Sequence, residues 1–461
     1  MAKPRSLALL ASLASLTTLA IACASEFQIA PDDYCNDING ADSANCAGGS
    51  GTGGRSGSGG GGGDGGGSMG AGGGVMGAGG GGGGGGGTMP CEGTAVDCGD
   101  GKCTDIAAND ANNCGACGHG CAGLACEGGV CASQAVVTGE VAPYALVQDE
   151  TSLYWASPAK HEGGDIPRVR GVRKDNAGQT VARDVIKAAD VRSSSLAIDG
   201  AKLFWGTLAN SPSDTQNQRL ASGFIDTSTP TPLKEPEANI QRVVFHGGKI
   251  YWTADDVGGV RGIAADGSSD TLDPDIKGEG NPRWLTIDAD NQLYWISETD
   301  GAIRRQSDVT PPLEDVVTGG QFVSVELSAD RVYWARRNPE TIVSAPKDDP
   351  ANTDKQTLEF SGQGRIEGFT LKREGDLATL FVVTFHEGSL NVWRKQPGEP
   401  APLRLGRVTP VNTAFMGNPF GAAYVLVDGA FVYFIDVGTL GSPINQVLTS
   451  KKDGIIYRVA K

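Results

Sequence analysis

The sequence predicts an all-β protein, a seven-bladed β-propeller preceded by a disordered Gly-rich linker and a small Cys-rich module. Three observations predict it. An apolar-aromatic signature returns about every 40 to 50 residues, as Leu153-Tyr154-Trp155, Leu203-Phe204-Trp205, Ile250-Tyr251-Trp252, Leu293-Tyr294-Trp295, Val332-Tyr333-Trp334 and Val432-Tyr433-Phe434. Self-similarity at such a period, in units that read as strand and turn, is the mark of a repeat ring. All 11 cysteines precede residue 132, and many of the 70 glycines fall in one run, so both belong to regions outside the repeats.

The N-terminal element, 1–22, reads as a secretory signal peptide. Lys3 and Arg5 precede an apolar stretch from Leu7 to Ala22 that is too short to span a bilayer stably. Its end, Leu19-Ala20-Ile21-Ala22-Cys23, resembles the lipobox of bacterial lipoproteins. That resemblance implies lipidation of Cys23 and, with Ala24 behind it, an outer-membrane or cell-surface, extracytoplasmic location. Acyl chains gain about 0.8 kcal/mol per buried CH₂, which anchors a protein without a transmembrane helix.

Residues 23–90 are the lipidated N-terminus and a tether. From Gly48 to Gly87, 28 of 40 residues are glycine and only Arg55 and Asp64 carry charge. Such a chain has almost nothing to bury against a maximal ordering cost, so disorder is expected. As a flexible coil from Cys23 to Cys91 it spans about 45 Å. No Gly-Lys-Ser/Thr follows the run, which sets aside a phosphate-binding loop.

Residues 91–132 hold Cys91, Cys98, Cys103, Cys114, Cys117, Cys121, Cys126 and Cys131, with Ile106, Leu124 and a few valines as apolar mass. That is too little core to fold unaided, so four disulfides are expected, in a pairing that spacing cannot fix. Cys35 and Cys46 read as a fifth, local pair. The alternative is a metal site, since Cys114-x-x-Cys117 with His119 has zinc-like spacing. The secreted context and the even cysteine count after lipidation favour disulfides, and no metal or other cofactor is expected. The segment Asn113-Cys114-Gly115-Ala116-Cys117-Gly118-His119-Gly120-Cys121 resembles disulfide-rich modules of secreted bacterial surface proteins.

Residues 133–461 form the propeller. Aligned on the aromatic strand they divide into units of about 142–190, 191–238, 239–280, 281–319, 320–363, 364–418 and 419–461. The sixth is degenerate, with Leu380-Phe381-Val382-Val383 in place of the aromatic pair, and six blades is the alternative if it is an insertion. Turns such as Asp199-Gly200-Ala201-Lys202 and His246-Gly247-Gly248-Lys249 supply the left-handed backbone of short hairpins. Val136-Val137-Thr138-Gly139 repeats Val316-Val317-Thr318-Gly319, an outer strand, yet has no blade of its own. It is expected to complete the last blade and to leave no broken blade at the seam.

Tyr251-Trp252-Thr253-Ala254 and the run Pro282-Arg283-Trp284-Leu285-Thr286-Ile287-Asp288 with Leu293-Tyr294-Trp295 resemble the YWTD and NHL groups of propellers. The resemblance specifies a fold rather than an activity. The recurrent tryptophans are expected to fill the wedges between blades. In related propellers the segment leading into each innermost strand reaches the channel mouth, and here it carries Tyr144, Arg242, Arg283, Trp284 and Tyr424. A ring of guanidinium and aromatic groups suits carboxylates, sugars or peptide side chains, and these five are the candidate ligand-binding residues.

Catalysis has little support in the sequence. His119, His161, His246 and His386 lie in separate units, and no nucleophile elbow, metalloprotease helix or Walker loop is present. Asp255-Asp256 and Asp348-Asp349 read as solvated turn residues. A formal net charge of -16 without a dense basic tract excludes nucleic acid as a partner. The expected function is a monomeric, lipid-anchored, non-enzymatic binding platform for a protein or glycan. The alternative is an extracytoplasmic propeller lyase or hydrolase acting on a polymer.

Overall fold

Seven antiparallel four-stranded sheets succeed one another along the chain, each built outward from an innermost strand. The computed structural model describes residues 91–461 apart from 100–101, 109, 158, 162–167, 177–181, 187–190, 209–217, 228, 236, 238–239, 255–257, 270, 308–312, 375–376, 411–424 and 445–446. The leader, Cys23, Cys35, Cys46, the tether, Asp255-Asp256 and Tyr424 lie outside the described residues. Among the described residues no helix is long and apolar enough to cross a membrane.

The innermost strands are Ala145–Gln148, Leu196–Asp199, Ile240–His246, Pro282–Ile287, Gln321–Leu327, Arg365–Glu374 and Leu426–Val427, in blades one to seven. The degenerate sixth unit is a complete blade, which settles the ring at seven. Its strand Leu377–His386 pairs with Arg365–Glu374 and places Phe369 opposite Val382, so branched apolar residues serve where other blades use tryptophan. The turn chemistry follows the sequence. His246 and Lys249 bracket a two-residue turn with positive φ at both Gly247 and Gly248, the twist a tight hairpin requires. Elsewhere an aspartate holds the turn: Asp149 accepts from the backbone N–H groups of Thr151 and Ser152 and from the Tyr154 hydroxyl. Asp428 does the same for Ala430, Phe431 and Tyr433.

The ring closes as the repeated Val-Val-Thr-Gly predicts. Gln134–Val141 is the outermost strand of blade seven and pairs with Lys452–Ala460, with Val137 opposite Ile456. The first and last parts of the domain therefore share one sheet, and blade seven is completed to four strands at the seam. Two further ties cross the same seam. Arg458 donates to the Gln134 side chain and to the Lys174 carbonyl. A separate three-stranded sheet joins Leu440–Ile444 and Val447–Ser450 of blade seven to Lys160–His161 of blade one, the last pairing being parallel.

The wedges between blades hold the core. Trp155, Trp205, Trp252, Trp295 and Trp334 are at most 2% exposed, as expected of residues that fill equivalent wedges. Three of them share a polar device that the aromatic signature does not reveal. The indole N–H groups of Trp155, Trp252 and Trp295 donate to Glu140, Glu237 and Glu279, each 15 or 16 residues upstream. The same carboxylates accept from Arg170, Arg261 and Arg304 on the third strands. Each glutamate links the segment entering a blade to its second and third strands. Trp205 and Trp334 have no such glutamate, and among the described residues their indole nitrogens find no hydrogen-bond partner.

The Cys-rich module is tied by Cys91–Cys103, Cys98–Cys117, Cys114–Cys126 and Cys121–Cys131. Cys114 and Cys117 are thus bonded to different partners, and the zinc-like spacing belongs to a disulfide framework. The sulfurs of Cys114, Cys121 and Cys131 approach one another within 4.8 Å, but all three are bonded as disulfides. The module packs on the propeller. Cys114, Cys121, Cys126 and Cys131 share one apolar cluster with Phe381, Leu390 and Leu405 of blade six and Val432, Phe434 and Val459 of blade seven. Module and propeller belong to one compact unit.

Candidate functional site

The innermost strands carry the residues that reach the channel, and a repeated bulge decides their aim. In blades three, five and six the register of the innermost strand breaks between Ile240 and Arg242, Phe322 and Ser324, and Ile366 and Gly368. In blade four the break falls later, between Arg283 and Thr286. Trp284 sits in that break with φ +45, a conformation costly for a bulky side chain. A bulge of this kind re-aims a side chain.

The re-aimed indole links three blades. The Arg242 guanidinium of blade three lies over the Trp284 ring, 4.1 Å from its centroid. The Trp284 indole N–H donates to the Val325 carbonyl of blade five at 2.7 Å. From the other side, Arg373 of blade six donates to the Leu327 carbonyl. Between these two clamped residues stands Glu326, and the charges of Arg242 and Arg373 both act on its carboxyl. Glu326 is partly buried on the innermost strand of blade five. Burial outweighs the pull of the two arginines and pushes its pKa up to about 7.

The structure brings together two of the five expected residues, Arg242 and Trp284. Arg283 instead pairs with Glu298 at 2.8 Å, and Glu298 also accepts from Asn281. Tyr144 is 3% exposed and packs in the core shared by blades seven, one and two. Tyr424 lies outside the described residues. Glu326 and Arg373 complete the cluster and were not expected. A signal for Glu326 exists in the repeat. The residue paired with the first aromatic of each blade is Val147, Ala197, Val244, Thr286, Thr370 or Leu426 elsewhere, and acidic only in blade five.

Chemically, the cluster offers two guanidinium groups and one carboxyl that changes charge near neutrality. It can bind an anion, and the carboxyl can exchange a proton. His246 serves in its hairpin turn, as the sequence suggests.

No protein-family model and no curated protein sequence matches the chain. Solved structures of similar architecture include a streptogramin B lyase, at 12% identity and a TM-score of 0.48, covering 71% of this chain and 97% of that one. YCF48 bound to D1 peptide is similar at 13% identity and a TM-score of 0.46, covering 71% and 96%. Nidogen from a nidogen/laminin complex is similar at 13% identity and a TM-score of 0.38, covering 56% and 97%. These likenesses concern the fold alone.

Proposed function

We propose that this chain is an outer-membrane lipoprotein that presents its propeller as a binding platform for a protein or glycan, with the ligand seated at the channel cluster. The observation that carries the reading is the Arg242 guanidinium stacked on Trp284, whose backbone is held in a costly conformation to put it there. Strain at a residue that also bridges blades points to a functional constraint. The lipobox-like Leu19-Ala20-Ile21-Ala22-Cys23 and the glycine tether support display at a membrane surface. The anchor is tested by Cys23→Ser, which should abolish palmitate labelling and move the protein from the membrane to the soluble fraction. Membrane retention of that variant would contradict it.

The binding role is tested by a thermal-shift screen of the oxidised protein against glycans, peptidoglycan fragments and peptides, with mass spectrometry on every hit. A ligand at about 100 times its dissociation constant stabilises by about 2.7 kcal/mol, enough to raise the midpoint visibly. Hits recovered intact support the platform. One observation favours the enzymatic alternative, because Glu326, with its pKa near 7, could act as acid or base. Conversion of a hit, lost in Glu326→Gln, would establish that alternative.

A further inference from the structure

We propose that Arg242, Trp284, Glu326 and Arg373 form a subsite for a small organic carboxylate that binds together with a proton. The proposal rests on the reading that the channel is the binding site, and it narrows the ligand chemistry. Each guanidinium presents several coplanar N–H donors, the geometry that matches a carboxylate. Both have a contact that orients them toward Glu326's strand. Arg242 lies flat against an indole that is fixed by the Val325 carbonyl, and Arg373 is fixed by the Leu327 carbonyl. Side chains held in advance lose little freedom on binding.

Glu326 sets the condition. The charged groups acting on it are Arg242 from blade three and Arg373 from blade six. Tyr333 stands opposite it in the sheet, and blade four contributes the uncharged Trp284. Ionised, Glu326 would repel an incoming carboxylate. Protonated, it becomes a donor to that carboxylate and no longer repels it. A group that protonates near pH 7 makes this exchange accessible under ordinary conditions. An acidic sugar at a glycan end is a source of such a carboxylate that agrees with the platform reading.

Isothermal titration calorimetry of the full oxidised protein with D-glucuronate, D-glucuronamide and acetate, at pH 6 and pH 8, tests the proposal. D-Glucuronate should bind about tenfold tighter at pH 6 than at pH 8, the ratio of protonated Glu326 between them. At pH 8, buffers of different ionisation enthalpy should report uptake of about one proton. Glu326→Gln should keep the tight binding at pH 8 without proton uptake, and Arg242→Gln, checked for its fold by circular dichroism, should lose it. Acetate binding as tightly as D-glucuronate would support a site that reads the bare carboxylate. D-Glucuronamide binding as well as D-glucuronate at both pH values would overturn the proposal and leave the binding platform standing. If none of the three binds while a screened ligand does, and Arg242→Gln abolishes that ligand, the carboxylate fails and the platform stands. If no ligand of any kind responds to Arg242→Gln, both fail.

Discussion

Glu326 gives the channel cluster a pH signature. Its pKa is raised from 4.5 to about 7 in the folded protein, so folding favours the protonated form. The stability it contributes is full at acid pH below the unfolded value, and is lost as pH rises through 7. The expected loss is about 3 kcal/mol, which Glu326→Gln should remove. Urea denaturation at pH 5 and pH 8 checks this: the wild type should weaken toward pH 8 more than the variant does. Asp149 and Asp428 run the other way. Their burial opposes ionisation, but the hydrogen bonds from Tyr154, Tyr433 and the turn backbone outweigh it and lower both pKa values. Their contribution is present above the unfolded pKa and is lost as pH falls.

The buried carboxylates behind the tryptophans make a second residue-level prediction. Glu237 is 3% exposed and holds both Trp252 and Arg261, whose side chain is itself largely buried. Glu237→Ala leaves the Trp252 indole without its acceptor and Arg261 with Asp275 as its remaining carboxylate, and should destabilise by about 1 to 3 kcal/mol. A urea midpoint within experimental error of the wild type would contradict the role assigned to it. At this scale the sequence was legible where residues repeat. The tryptophans announce their wedges, while Glu140, Glu237 and Glu279 carry no such mark, because a lone glutamate in a linking segment resembles any surface acid. Arg242 and Trp284 stand out because they break the repeat. Glu326 and Arg373 join them only through the convergence of four blades on one channel, which no linear spacing records.

Among the elements, the closing strand Gln134–Val141 has the clearest consequence. It is the outermost strand of blade seven, and Val136 and Val137 are fully buried in the core shared by blades seven, one and two. Deleting residues 133–140 should expose Lys452–Ala460 as an edge and lower stability cooperatively. Calorimetry should then show a single transition at a reduced midpoint. An unchanged midpoint would mean that the ring closes without this strand. The strand was legible because Val-Val-Thr-Gly occurs twice. The three-stranded sheet across the seam was not, since its strands are short and its parallel pairing joins distant insertions. The docking of the Cys-rich module was hidden for a related reason. Its cysteines read as covalent staples, but Cys114, Cys121, Cys126 and Cys131 are also apolar surface that covers blades six and seven.

At the scale of the molecule, the architecture assigns separate tasks to separate segments. A seven-bladed ring closed by strand pairing, and reinforced where the module packs on it, is a rigid frame. Rigid frames hold side chains from distant segments in fixed relation, as the cluster of Arg242, Trp284, Glu326 and Arg373 requires. The proposed lipid anchor and tether would leave that frame free to meet large partners. The most direct test compares the thermal shift of a screened ligand on the wild type and on Arg242→Gln, a variant that keeps the frame and removes the guanidinium from Trp284. Binding at the channel predicts that the shift disappears in the variant, whereas a shift of unchanged size would place the ligand elsewhere on the protein.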